Sequence, residues 1–279
     1  MDKMTLSEIA AAVGAAAPAC DAEITGVSID SRAIEPGCMF VAIKGENFDG
    51  HNFVCDVLAK GAAAALCSRD IPDAPGTVLV VEDTVRAMGA LAAHNRAKYN
   101  IPLVGLTGSV GKTTSKDMVA AVMGQHYKTL ATEGNLNNEI GLPRMCLRLD
   151  SSYEAAVIEM GMSDFGEISR LTAIARPNIG LITNIGVSHI ERLGSREGIL
   201  RAKLEILEGM APDAPIVLNA DDDMLMSALD KLDRPVVLYG IHNPDAHCRA
   251  SDIEQLENEL RFTLTYNDVK RRIVLSTVG

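Results

Sequence analysis

The stretch Gly105-Leu106-Thr107-Gly108-Ser109-Val110-Gly111-Lys112-Thr113-Thr114 constrains this chain more than any other. A strand-like apolar segment, Ile101 to Val104, precedes it. A helix-like segment, Ser115 to Met123, follows, with Met118, Val119, Val122 and Met123 on one helical face. A glycine-rich turn between strand and helix lets backbone N–H groups converge on phosphate oxygens. Lys112 adds positive charge at the terminal phosphates, and the Thr113 hydroxyl suits Mg2+. The strict G-x-x-x-x-G-K-[ST] pattern is broken, because Leu106 stands at its first position. What remains predicts a loop for the phosphates of ATP or GTP, built from Gly108, Ser109, Val110, Gly111, Lys112, Thr113 and Thr114.

The pattern on either side predicts an α/β protein of two units. Residues 1–98 read as a small α/β unit, with strands at Gly26–Ile29, Met39–Ile43, Ala62–Cys67 and Thr77–Val81 and helices at Leu6–Val13, Asn52–Lys60 and Val85–Lys98. Pro102 biases Ile101 toward extended backbone, so Tyr99–Pro102 reads as a short hinge. From residue 101 to 279 the units are longer. Apolar strands at Leu103–Leu106, Ala155–Met160, Ile179–Asn184, Ile216–Asn219 and Val236–Tyr239 alternate with helices at Lys112–Gly124, Ile140–Leu147, Gly166–Ala175, Arg196–Gly209 and Met224–Leu229. Strands apolar on both faces, alternating with helices, predict a mostly parallel, doubly wound central domain of phosphate-loop type. Leu260–Thr265, a turn at Asn267-Asp268 and Arg272–Leu275 predict an antiparallel hairpin at the sheet edge.

Composition excludes several classes. A net charge of −11 argues against a nucleic-acid partner, which needs a basic face. No apolar run is long enough to span a bilayer, and the first residues lack a signal-peptide pattern. The six cysteines are scattered without a C-x-x-C pair, which fits a reducing cytoplasm better than zinc or a dithiol.

Three more residues lie at or beyond the C-terminal ends of predicted parallel strands or in the helix that follows, where open α/β sheets place ligands. Glu159 closes an apolar strand and is a candidate partner of Mg2+; otherwise it is a surface carboxylate. His189 follows the strand ending at Ile185, as a ligand or as a satisfied structural histidine. Lys203 lies mid-helix; alone it reads as a solvated lysine pairing with Glu205 or Glu208.

The order and spacing of the loop, Glu159, His189 and Lys203 resemble the ATP-dependent Mur ligases of peptidoglycan synthesis. Three passages look like the dipeptide-adding branch of that family: Thr132-Glu133-Gly134-Asn135-Leu136-Asn137-Asn138-Glu139-Ile140-Gly141-Leu142-Pro143, then Glu159 to Ile168, then Ala175 to Ile206. Asp30-Ser31-Arg32, Pro36-Gly37, Lys44-Gly45 and Asp49-Gly50-His51 agree in the first unit. The resemblance implies that Gly108–Thr114 holds ATP. It implies that Thr113, Glu159, His189 and Lys203 serve Mg2+, with Lys203 carbamylated on its ε-nitrogen. Lys112, Glu159, His189 and Lys203 would be the catalytic set. Ser31, Arg32 and Lys44 would address the UDP end of UDP-N-acetylmuramoyl-tripeptide, and Asn137 and Asn138 its sugar-peptide portion; asparagines there are also ordinary turn residues.

The implied reaction is amide formation with D-alanyl-D-alanine through an acyl phosphate, in a monomer. The family's third domain and the R-H-N-x-x-N-like passage before it are missing after Gly279, so the chain is expected to bind ligands without turnover. A sibling ligase adding one amino acid, a phosphate-loop kinase or NTPase, and a non-catalytic nucleotide-sugar-binding fragment are the competing readings.

Overall fold

The computed structural model describes residues 1–276. The chain opens with a short antiparallel ladder of β1 (Met4–Thr5) and β2 (Glu23–Ile24) around α1 (Leu6–Val13). The Thr5 hydroxyl caps α1 by accepting from the Glu8 N–H, and Gly14, left-handed at φ 71°, ends it. A four-stranded sheet follows: β3 (Gly26–Ser28), β4 (Cys38–Val41), β5 (Ala64–Cys67) and β6 (Thr77–Val80), parallel and in chain order. Every residue of β4 and β5 is buried, as expected of parallel strands covered on both faces. A 3-10 turn (Gly50–Phe53) leads into α2 (Val54–Ala59), and α3 (Thr84–Ala97) closes the unit, its first turn capped by Asp83.

The second sheet has nine strands in the order β15-β14-β13-β12-β11-β10-β7-β9-β8. Its parallel part is β7 (Leu103–Thr107), β8 (Thr129–Ala131), β9 (Ala155–Glu159), β10 (Ile179–Ile182), β11 (Ile216–Asn219) and β12 (Val236–Gly240). β13 (Cys248–Gln255) pairs parallel with β12, and β14 (Glu259–Tyr266) and β15 (Val269–Ser276) extend the edge antiparallel. The helices are α4 (Lys112–Met123), α5 (Gly141–Leu147), α6 (Glu167–Ala175), α7 (Ile190–Leu193), α8 (Arg196–Leu204) and α9 (Asp223–Met226). The predicted α/β class, parallel central sheet and edge hairpin are all present. β8, β13 and α7 were not predicted, and the predicted helix Arg196–Gly209 becomes 3-10 after Leu204.

The two sheets share their largest apolar cluster, and each carries a smaller one of its own, around Phe40 and Val57 in the first and Leu106 and Val157 in the second. The shared cluster runs from Leu6, Ile24 and Leu66 through Met88 and Leu91 of α3 to Leu103, Leu142, Ile158 and Leu171. The segment read as a hinge is pinned where it leaves α3. Asn95 Nδ2 donates to the carbonyls of Cys146 (2.9 Å) and Leu149 (3.0 Å), and Arg96 Nε donates to Ala175 O (2.9 Å). Both side chains are buried, so cutting these bonds would orphan polar groups away from water. These bonds tie the end of α3 to the chain around α5 and α6.

Candidate functional site

The phosphate-loop sequence lies where the pattern puts it, between β7 and α4. Thr107 ends the buried strand, and Gly111, left-handed at φ 75°, turns the chain into the helix. Ser109 is buried, Lys112 half-buried, and Val110, Gly111, Thr113 and Thr114 are exposed. Lys112 Nζ folds back to donate to the Gly108 carbonyl at 3.1 Å. The loop is braced from the segment that follows β10. Asn184 grips Val110 twice, accepting from its N–H and donating to its carbonyl, each at 3.0 Å. The Thr183 hydroxyl donates to the same carbonyl at 2.9 Å, and Ser109 Oγ accepts from the Gly186 N–H at 2.9 Å. Only glycine fits at 108, since a Cβ there would stand 1.9 Å from Thr183 Oγ1.

Glu159, at the end of β9, is 1% exposed, yet both carboxylate oxygens are engaged. The Thr113 hydroxyl donates to Oε2 at 3.1 Å, and Asn137 Nδ2 donates to Oε1 at 2.8 Å. The structure thus joins three predicted residues that are far apart in sequence. Asn138 does different work: its Oδ1 accepts from the N–H groups of Ile140 (3.2 Å) and Gly141 (2.8 Å), the capping chemistry of a turn residue.

Lys203, on α8, is 3% exposed rather than solvated, and among the described residues it pairs with neither Glu205 nor Glu208. Glu205 instead accepts from the N–H groups of Gly166 and Ser169 at the start of α6. Burial, and then the nearby Lys112 cation, pull the Lys203 ammonium down from its ordinary value to about 7. His189 is exposed, sits in the left-handed region at φ 64° as N-cap of α7, and makes no recorded side-chain hydrogen bond among the described residues. For a non-glycine residue that backbone is costly, and such outliers cluster at functional sites.

Among the described residues no group of three or more His, Cys, Asp or Glu is arranged to hold a metal. Thr113 and Glu159 are two hard oxygen donors side by side. That suits Mg2+, which keeps several waters and takes the rest of its shell from phosphates. An all-protein cage is not required.

A second feature lies between the sheets. A cavity of about 560 Å³ is lined by Ile29, Asp30, Ser31, Arg32, Phe48, Phe53 and Arg144. The Arg32 fork clasps Asp30 at 2.9 Å through each arm, which pulls that carboxyl down to about 2. Phe48 and Phe53 stack with centroids 5.3 Å apart. Ser31 and Arg32 are predicted residues; Lys44 is exposed and does not line this cavity. Arg144, Phe48, Phe53 and the Asn184 brace were not singled out in sequence. Of these, Asn184 at a strand's C-terminal end carried a usable signal.

Comparison with known proteins matches this layout. Residues 23–96 match the model of the Mur ligase family catalytic domain, and residues 106–279 that of the Mur ligase middle domain. The chain is 42% identical over 243 residues to the UDP-N-acetylmuramoyl-tripeptide–D-alanyl-D-alanine ligase of Bacillus subtilis, covering 86% of this chain and 52% of the relative. Against the enzyme of that name from Escherichia coli the figures are 41% over 265 residues, with 95% and 58% covered. MurF from Acinetobacter baumannii superimposes with TM-score 0.91 at 34% identity, covering all of this chain and 62% of that one. MurF from Thermotoga maritima in complex with ADP gives TM-score 0.83 at 30% identity, with 91% and 58% covered. The chain therefore spans between half and two thirds of the length of these relatives. With a family model matching residues 106–279 and another the sheet before it, the chain belongs to the Mur ligase family.

Proposed function

We propose that this chain supplies the nucleotide site and the muramoyl-peptide site of a ligase. That ligase joins UDP-N-acetylmuramoyl-tripeptide to D-alanyl-D-alanine at the expense of ATP. Residues 1–98 would serve the UDP-sugar and residues 101–279 the ATP, in a cytoplasmic, monomeric protein. No helix among the described residues is long and apolar enough to cross a membrane.

The observation that carries this reading is the position of α5. Asn137, four residues before it, touches Glu159 beside the phosphate loop, and Arg144, at its middle, lines the cavity between the sheets. The whole of α5 rises only about 10 Å, and Arg144 is three residues from its start. The cavity, with guanidinium groups and stacked aromatic rings, suits an aromatic base carrying a diphosphate. A sugar and a short peptide then span the distance to the loop. Relatives bearing the dipeptide ligase's name, and one in complex with ADP, support both ends of this assignment.

The chemistry follows from the carboxylate's poor reactivity. The terminal carboxylate of the tripeptide attacks the γ-phosphorus of ATP, an acyl phosphate forms and ADP leaves. The amine of D-alanyl-D-alanine then adds to the acyl carbon. Collapse expels inorganic phosphate and leaves the amide, with one proton lost from nitrogen. Mg2+, when bound, would neutralise the two anions that must meet. Lys112 adds a positive charge at the γ-phosphate, and the Gly108–Thr114 amides orient the phosphate chain. Thr113 and Glu159 would hold the metal, and His189 would be a further residue of the metal site. Lys203, depressed to about 7, is largely neutral above that pH. A neutral amine adds to CO2, forming an N–C bond and releasing one proton. The resulting carbamate would place an anion beside Lys112, suited to a second Mg2+.

Calorimetric titration of the chain with UDP-N-acetylmuramoyl-tripeptide, against the corresponding dipeptide ligand, tests the assignment. Stronger binding of the tripeptide ligand is expected, and an Arg32→Ala variant should weaken it about tenfold. Equal or stronger binding of the dipeptide ligand would favour a sibling ligase that adds a single amino acid.

A further inference from the structure

Lys116 is a lysine that the phosphate loop does not explain. It lies one helical turn beyond Lys112, is 5% exposed, and does not reach out toward the loop. Its Nζ donates to the Thr132 carbonyl at 2.7 Å and pairs with Asp117 Oδ1, also at 2.7 Å, on a side chain that is largely exposed. Burying an ammonium is expensive, and methionine would fill the same space without that cost. The carbonyl it meets explains its presence. Thr132 follows the last residue of β8; its N–H still donates to Val157 O at 3.0 Å, while its own carbonyl meets α4.

Thr132 is itself 1% exposed and acts on Glu159 directly. Its hydroxyl oxygen accepts from the Glu159 N–H at 2.9 Å, fixing the backbone from which that carboxylate springs. The same connection continues to Asn137, which grips Glu159 Oε1. Lys116 and Thr113 are three residues apart, so they lie on one face of α4. That face therefore holds the β8–β9 edge twice, at the carboxylate through Thr113 and at the Thr132 carbonyl through Lys116.

We propose that Lys116 and Thr132 are positioning residues for the Glu159 carboxylate, setting how it meets a Mg2+ carried in by the nucleotide. The proposal rests on the nucleotide reading above. Among the described residues the Lys116 side chain bonds to the Thr132 carbonyl and Asp117, the Thr132 hydroxyl to Glu159, and neither to the loop that takes the phosphates. The two therefore act on metal affinity and leave the nucleotide's own contacts alone. Outer partners of this kind typically change metal affinity by about 10- to 100-fold.

The test measures Mn2+ binding, by electron paramagnetic resonance, to the 279-residue chain saturated with a non-hydrolysable ATP analogue. Affinity for the analogue alone is measured in EDTA. Lys116→Met and Thr132→Val should each weaken Mn2+ binding about tenfold, with analogue affinity in EDTA within about twofold of the original. Thr132→Ser, which keeps the accepting hydroxyl, should bind Mn2+ as the unsubstituted chain does. Undiminished Mn2+ affinity in Thr132→Val, or an equal loss in Thr132→Ser, would overturn the proposal. So would a parallel fall in metal-free analogue affinity, because the loop itself would then have moved. Should Lys116→Met fail to fold, the threonine pair still decides. Failure of the unsubstituted chain to bind the analogue at all would instead overturn the nucleotide reading, and this inference with it.

Discussion

Lys203→Met is expected to make the protein more stable while removing the site that a carbamate would occupy. The folded chain holds this ammonium near pKa 7 against an ordinary value of 10.5, because of burial first and Lys112 second. Below pH 7 the lysine is charged in both the folded and unfolded states, and the folded state bears the whole cost. Between pH 7 and 10.5 the unfolded chain binds the extra proton, so the cost shrinks as pH rises and vanishes near 10.5. At 1.36 kcal/mol per unit, the full cost is on the order of 5 kcal/mol. Thermal unfolding at pH 6 in CO2-free buffer should show the methionine variant higher by on the order of 10 °C. The gap should close as the buffer is taken toward pH 10. A variant equal to or less stable than the parent at pH 6 would contradict the cost assigned to burying the Lys203 ammonium. The parent, but not the variant, should also take up 13C-labelled CO2 as a carbamate above pH 7.

The second large effect is at Gly108. Gly108→Ala would put a methyl group 1.9 Å from Thr183 Oγ1 and 3.1 Å from Thr183 Cβ. The hydroxyl that must yield also braces Val110 from beneath the loop. The loop would have to leave the position from which its amides face the phosphates. Nucleotide affinity should fall about 100-fold, equivalent to about 2.7 kcal/mol. The muramoyl ligand's affinity should be unchanged, because its cavity is built from other residues. Removing the obstructing hydroxyl gives the companion test: in Gly108→Ala/Thr183→Ala part of the nucleotide affinity should return, and the two changes should be clearly non-additive. Full nucleotide affinity in the single variant would mean that the loop adopts another conformation when it binds.

How far the sequence revealed this molecule differs from element to element. β7, β9 and β11 are compact apolar runs closed by helices, and each was legible because a parallel strand buried on both faces needs that composition. β8 is only Thr129-Leu130-Ala131, too short for any period to show. β13 is polar and largely exposed, with a register shift between Ser251 and Glu254, so it lacks the apolar alternation that marks a strand. The hinge read at Tyr99–Pro102 relied on Pro102. What ties down the chain before that segment is Asn95 and Arg96 reaching carbonyls 51 to 80 residues away, which no local pattern reveals.

The site divides in the same way. The phosphate loop and Glu159 were readable because each sits at the end of a strand whose direction the pattern already gives. The engagement of Asn137 with Glu159 is tertiary. So is the return of Arg144 from α5 to the first unit, and so is the burial of Lys203, whose helix looks like an ordinary solvated one in sequence. His189 stands apart: the structure shows its left-handed backbone and exposure, but no contact that gathers it with Glu159.

In the proposed ligase the muramoyl ligand, starting in the cavity at Arg32 and Arg144, delivers its terminal carboxylate to the phosphate loop. Paramagnetic relaxation measures that directly. The chain would be saturated with Mn2+ and a non-hydrolysable ATP analogue, and UDP-N-acetylmuramoyl-tripeptide added with 13C in its terminal carboxylate. The account predicts strong broadening of that resonance, lost when Mg2+ replaces Mn2+ and much weaker when the label sits on the uracil ring. A tripeptide ligand that binds while its carboxylate stays sharp would place the two sites too far apart for phosphoryl transfer, and would contradict the account.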